Sequence, residues 1–165
     1  MIYPISLQNM IYTVPVKIEF TDLYKSLGLP VPSYATQGSV GADLYACLNK
    51  SYELIPPKEK RLIPTGIHLE IPNGFAGILC SRSGFSFKNT TILLNGIGVI
   101  DEDFRGLLQV SMYNLGEDSV VVDNATRVAQ ILFVPVYQAQ FEVVDKVNTT
   151  IRGSGGFGSS DTKNS

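Results

Sequence analysis

Apolar residues in this chain recur in short alternating runs punctuated by Gly, Pro and Asn, the period of half-buried strands. Residues 13–20 place Val14, Val16, Ile18 and Phe20 on one face, with Pro15 pointing to an edge strand or a strand start. Residues 28–39 read as a loop, and 41–46 as a short strand entered through Gly41. Further strands are predicted over 52–55, 61–66, 67–72 and 75–80. Asn73-Gly74 predicts a tight hairpin turn between the last two. The pattern continues over 91–94, 98–101, 107–113, 119–123 and 127–137, and 141–144 closes the ordered part. Residues 85–88 read as one helical turn, and no longer stretch combines helical periodicity with caps. The chain therefore reads as all-β, a sandwich or barrel. Its expected organisation is an extension at 1–12, one β domain at 13–147 and a flexible Gly- and Ser-rich tail at 148–165.

Composition narrows the class without changing it. The length of 165 residues suits one domain with a sizeable core. A net charge of −2 gives no reason to expect nucleic acid or an anionic membrane as partner. The charged fraction is 17%, low against roughly 25% for typical domains, which is compatible with surface buried between subunits. Cys47 and Cys80 are expected reduced, and no apolar run is long enough to span a bilayer. The first residues lack the basic start of a signal peptide, so the expected compartment is the cytoplasm. His68, mid-strand between Ile67 and Leu69, reads as structural. One His and two distant Cys do not make a transition-metal site, so any metal is expected to be Mg²⁺ held largely by substrate phosphates and water.

The candidate chemistry concentrates in four stretches. Residues 95–106 read as a β-hairpin that carries Asp101 where strand gives way to turn. Gly96 and Gly98 remove side chains where a flat ligand could lie, and Phe104 supplies an aromatic wall. On local chemistry this is a small-molecule site or an acidic surface turn. Ser81-Arg82-Ser83-Gly84, at a strand end, offers a bidentate guanidinium, hydroxyls and backbone N–H groups to an anion, or is an ordinary polar turn. Arg127-Val128-Ala129-Gln130 opens an apolar strand with a polar pair, of which Gln130 could reach a phosphate oxygen. Residues 152–160 satisfy G-x-G-x-x-G in letters only. No helix can follow Gly158 and no Walker lysine is present, so a dinucleotide fold is excluded. A glycine-rich tail with one Arg and one Phe suits closure over a phosphate chain, with Phe157 stacking on a base.

These stretches, with Gly41-Ala42-Asp43-Leu44-Tyr45-Ala46, resemble in order and spacing the five motifs of the trimeric all-β dUTPase family. The resemblance implies a jelly-roll-like β-barrel, a homotrimer with sites between subunits, and Mg²⁺-dependent hydrolysis of dUTP to dUMP and pyrophosphate. That reaction limits uracil incorporation into DNA and supplies dUMP for dTMP synthesis. By the same resemblance Asp101 is the base that activates water for attack on the α-phosphorus. Arg82, Ser83, Gly84 and Gln130 hold the phosphates, while Asn95 and the backbone of Ile97, Gly98 and Val99 read uracil. Arg152, with Gly153 and Ser154, reaches the γ-phosphate, and Phe157 covers the base. Asp43 orients metal-bound water or ties subunits together.

Two positions depart from the family. Phe104 stands where Tyr is usual, keeping the wall under deoxyribose but losing a phenolic hydrogen bond. Thr126 stands where Asp is frequent, which removes a contact that would orient Arg127. A dCTP deaminase of the same fold is a rival reading, but it needs a carboxylate where this chain has Ser111. A nucleotide-binding module without catalysis is a second rival.

Overall fold

The computed structural model describes residues 13–156. Strands dominate, as the alternation predicts: β1 (Lys17–Phe20), β2 (Ala42–Tyr45), β3 (Tyr52–Ile55), β4 (Lys60–Pro64), β5 (Ile67–Glu70), β6 (Phe75–Ser81), β7 (Thr91–Leu93), β8 (Gly98–Ile100), β9 (Gln109–Asn114), β10 (Val120–Asp123) and β11 (Arg127–Pro135). All pairings between these strands are antiparallel. The largest sheet runs β2-β11-β6-β8; β4-β9-β7, β1-β5 and β10-β3 complete the wall. The chain is thus all-β, as the sequence pattern implies.

Alternation sets what goes inside. Along β9, Val110, Met112 and Asn114 turn inward, and along β10, Val120 and Val122 do the same. They meet Leu44, Ile55, Ile63, Ile67, Leu108, Val128 and Ile131 in one core. Asn114 is the polar member. Its Nδ2 donates to the carbonyls of Ile55 and Asp118, and its Oδ1 accepts from Gly116 N, so no buried polar atom of that amide is left unpaired.

Two short helices interrupt the strands. α1 (Asp22–Ser26) has no counterpart in the sequence pattern; Thr21 caps it through Oγ1, which accepts from Tyr24 N. It buries Tyr24, whose ring stacks on Phe20 at 4.6 Å and whose hydroxyl donates to the Pro30 carbonyl. α2 (Ser83–Asn89) extends the helical turn predicted at 85–88 back to Ser83 and ends at Thr90 in the left-handed region.

Four expectations need correction. β8 and β9 do not form a hairpin: β8 pairs with β6, and β9 with β4 and β7. The cause is Leu108, which donates to Ile67 O and accepts from Thr65 N, and so draws the chain across to another sheet. Asn73-Gly74 forms its turn, with Gly74 at φ +81 and Phe75 N donating to Pro72 O. Yet β5 pairs with β1 and β6 with β11 and β8, so the turn is a corner rather than a hairpin. The strand predicted over 13–20 is paired only from Lys17, past the proline. Residues 141–144 form no strand, because the described part of this chain offers them no ladder partner; Phe141 and Val143 are more than nine-tenths exposed.

Candidate active site

The site begins with a buried charge. Asp43 sits in β2 among small and apolar residues and is only 8% exposed. A carboxylate there needs cations. Two strands supply them. Arg82 follows the end of β6, and its Nε donates to Asp43 Oδ1 at 2.6 Å. Arg127 opens β11, and its guanidinium donates to Oδ2 at 3.1 Å. One carboxylate thus holds the arginines of two separate motifs. The orienting contact that Thr126 cannot provide comes from Asp43, inside the same chain.

Arg82 has an extended backbone and α2 starts on the next residue. Ser83 and Gly84 are therefore in the first helical turn, where backbone N–H groups have no intrahelical partner. Asp43, Arg82, Ser83, Gly84 and Gln130 line one cleft of about 360 Å³, together with Gly38, Ser39 and Val40. Gln130 Nε2 donates to Ser81 O at 3.0 Å, which turns its amide oxygen toward Gly41. A Cβ at residue 41 would clash with that oxygen, so the glycine is what lets Gln130 sit there. The Arg82 guanidinium, paired with Asp43, and the first turn of α2 line this one space, donor types that suit an oxyanion or phosphate chain.

The residues of 95–106 lie elsewhere on the same sheet. Gly98 pairs with Leu79 and Ile100 with Gly77, so β8 runs away from Arg82. Asp101 leaves the sheet level with Ala76, six positions along β6 from Arg82. At about 3.4 Å per residue that is roughly 20 Å, beyond the reach of the two side chains toward each other. Asp101 is exposed, and among the described residues its carboxylate accepts no hydrogen bond. Ile97, Val99 and Phe104 are also exposed, presenting an open apolar surface beside Asn95.

The two glycines of this stretch also have structural duties. A Cβ on Gly98 would come 2.9 Å from Leu79 Cβ, so this glycine allows β8 to pack on β6. Gly96 has φ +70 with open space around it, and serves the turn. The Phe104 ring lies over Gly106, where a Cβ would sit 2.6 Å from it.

In the tail, Arg152 Nε donates to Gly155 O, and Gly153 N bonds back to Thr150 O. Arg152, Gly153 and Ser154 thus form a local turn that does not line the cleft. Phe157 lies outside the described residues. His68 is a structural tie: its Nδ1 meets Arg105 O at 2.9 Å. Cys47 and Cys80 are both free thiols, and burial pushes the Cys47 thiol up.

Sequence reading missed the 35–41 loop as a wall of the cleft, and missed Glu102 and Asn73 as a bonded pair. The loop had a signal, a run of small residues before Asp43. The Glu102 contact had none, because it joins positions 29 apart.

The sequence model of the dUTPase family matches residues 28–161. The deoxyuridine 5'-triphosphate nucleotidohydrolase of Escherichia coli K12 is 45% identical over 132 residues, 79% of this chain and 87% of that protein. Its counterpart from Citrobacter koseri is 44% identical over 135 residues, 81% of this chain and 88% of its own length. Among solved structures, the dUTPase of Staphylococcus bacteriophage 80alpha with dUPNHPP superposes with a TM-score of 0.77, covering 89% of this chain and 98% of that one. Its sequence identity is 23%, so that likeness speaks for the fold. The family match over most of the chain and the close relatives together establish that this chain belongs to the dUTPase family.

Proposed function

We propose that this chain hydrolyses dUTP to dUMP and pyrophosphate at sites assembled between three copies. The observation that carries this reading is the separation within one chain of an anion-binding cleft from a carboxylate that accepts no hydrogen bond among the described residues. Arg82, Ser83, Gly84 and Gln130 converge on one space, while Asp101 stands at the other end of β6. A second copy brings the two halves together. Exposed apolar residues support such assembly: Leu62, Ile92 and Leu94 on the β4-β9-β7 side, and Tyr137, Phe141 and Val143 beyond β11.

In this mechanism Asp101 takes a proton from a water molecule as the water oxygen bonds to the α-phosphorus. The bond from that phosphorus to the bridging oxygen breaks, and pyrophosphate leaves with the electron pair. Arg82 and the Ser83 and Gly84 N–H groups stabilise charge on the phosphate oxygens. Asn95 and the backbone of Ile97, Gly98 and Val99 read the uracil edge, and Phe104 packs under the deoxyribose. Arg152, Gly153, Ser154 and Phe157 belong to a tail that closes over the γ-phosphate and the base.

Among the described residues no three His, Cys, Asp or Glu side chains gather to cage a metal, and Asp43 is the one carboxylate lining the cleft. That donor set suits Mg²⁺ carried on the triphosphate, which needs few protein ligands. Bound there, Mg²⁺ would neutralise charge on the phosphate oxygens. Among the described residues no helix is long and apolar enough to cross a membrane. The reading places the protein in the cytoplasm, keeping dUTP from polymerases and yielding dUMP for dTMP synthesis.

The test is pyrophosphate release with Mg²⁺ and each of dUTP, dCTP, dTTP and UTP. Turnover of dUTP well above the others, nearly abolished in Asp101→Asn while dUTP still binds, supports the reading. Ammonia from dCTP would point to the deaminase, and binding without turnover to a non-catalytic module.

A further inference from the structure

We infer that Glu102 is a positioning residue, one that fixes the turn from which Asp101 acts. The inference rests on the proposed role of Asp101 and adds what holds it in place. Residues 101–106 are all exposed except Glu102, which is partly buried. Its two carboxylate oxygens are both occupied. Oε1 accepts from Asn73 Nδ2 at 2.8 Å, and Oε2 accepts from the Gly74 backbone N–H at 2.8 Å. A two-point, charge-assisted hold fixes direction as well as distance.

What Glu102 grips is itself fixed. Gly74 stands at φ +81 in the corner between β5 and β6, a conformation glycine adopts without strain. Its carbonyl accepts from Val136 N at 2.9 Å, just past the end of β11. Phe75 N closes the same corner onto Pro72 O. The corner is therefore braced from the far side, and Glu102 hangs the Asp101 turn on it.

The turn needs such an anchor. Asp101 makes no side-chain hydrogen bond among the described residues, so only its backbone places the carboxylate. Phe104 N donates to Asp101 O, and the Arg105 guanidinium donates to the carbonyls of Glu102 and Phe104. Those bonds shape the turn but do not tie it to the barrel. Among the described residues two hydrogen-bonded contacts do so: Glu102 on the corner, and Arg105 O with His68 on β5. β8 is paired to β6 up to Ile100, just before the base, and the Glu102 contact is the one that follows it directly. A general base is useful only if its oxygen stays within hydrogen-bond reach of the attacking water. Here a neighbour with no contact to substrate supplies that precision.

The experiment compares the full-length parent with Glu102→Ala, Asn73→Ala and the double variant. Steady-state kinetics with dUTP and Mg²⁺ are read beside amide hydrogen exchange over residues 74 and 101–105. Binding of a non-hydrolysable dUTP analogue is measured on each. The expected result for Glu102→Ala is faster exchange at Gly74 and Phe104, with kcat down by about ten- to a hundredfold. KM and analogue affinity stay within about twofold, because the phosphate and uracil contacts are elsewhere. Asn73→Ala removes one of the two bonds and shows a smaller loss in the same direction. The double variant matches Glu102→Ala, because both changes act through one contact. A kcat for Glu102→Ala within about twofold of the parent, or Asn73 and Glu102 effects that simply multiply, overturns the inference. So does a fall in analogue affinity that tracks the fall in kcat, which would mean general loosening. A parent that does not turn over dUTP is a different failure: it overturns the proposed function itself.

Discussion

Replacing Asp43 by alanine probes the cleft at its root. The carboxylate side chain is 11% exposed, and it holds Arg82 and Arg127, whose side chains are 24% and 51% exposed. Hydrogen bonds to charged groups contribute roughly 1.5–3 kcal/mol each before rehydration is counted. Arg127 is half in water and recovers most of its share by hydration, so its contribution is small, about 0–1 kcal/mol. Arg82 is more enclosed and is left near a second guanidinium without a counter-charge, which raises the loss. The net expectation is about 2–3 kcal/mol of destabilisation for Asp43→Ala, and roughly half of that for Asp43→Asn, which keeps one acceptor oxygen. Urea unfolding at fixed ionic strength and protomer concentration reads this directly, with a midpoint shift of about 1 M for an ordinary slope. Arg127→Ala made on top of Asp43→Ala should add little, since their shared contact is already gone. The role in orienting metal-bound water that the resemblance implied for Asp43 is also distinguished here from the Arg82 contact seen in the structure. If Asp43 acts by aiming Arg82, KM for dUTP rises while the Mg²⁺ concentration for half-maximal turnover is unchanged. A loss below about 0.5 kcal/mol for alanine would refute the buried-clamp reasoning.

Other parts of the structure make independent predictions. Asn114→Ala strips three hydrogen bonds from a fully buried amide and should cost about 2–4 kcal/mol by the same denaturation assay; a loss under about 1 kcal/mol would contradict the pairing described. Burial pushes the Tyr24 hydroxyl from 10.0 up to about 12, so the folded state keeps a proton that the unfolded chain has released. Its contribution to stability is complete below about pH 10 and is lost as pH rises toward about 12. Tyr24→Phe should lose less stability than the parent over that interval, and an identical decline would refute the assignment. Phe104→Tyr restores a phenolic hydroxyl over Gly106 and should raise the preference for dUTP over UTP in kcat/KM severalfold; an unchanged ratio would place that ring away from the sugar.

Strand periodicity carried most of the fold, because alternation fixes which side chains face the core regardless of partner. β9 and β10 show this: Val110, Met112, Val120 and Val122 are inward as their spacing requires. Pairing was not legible. Asn73-Gly74 specifies a tight turn, but whether the flanking strands then pair depends on competitors distant in sequence, β1 for β5 and β11 for β6. The same limit hid the sheet change between β8 and β9, which hangs on Leu108 bonding to Ile67 and Thr65. For the candidate site, motif spacing singled out Arg82, Gln130 and Asp101, of which the structure brings Arg82 and Gln130 to one cleft and leaves Asp101 apart from it. It did not reveal that Asp43 joins Arg82 to Arg127, although an acid inside an apolar strand is a signal that a cation must lie nearby. Gly98 carries a packing role that spacing did not show: a Cβ there would meet Leu79.

The central claim is that the phosphate cleft of one copy works with Asp101 of another. Subunit mixing tests it: Arg82→Ala and Asp101→Asn chains, each inactive alone, are unfolded together and refolded in equal amounts. If the site is shared, a copy with an intact cleft meets a copy with an intact Asp101 by chance, and about a quarter of parental dUTP turnover returns. If each chain builds its own site, no mixture holds a complete one, and turnover that stays at the level of the separate variants would contradict the account.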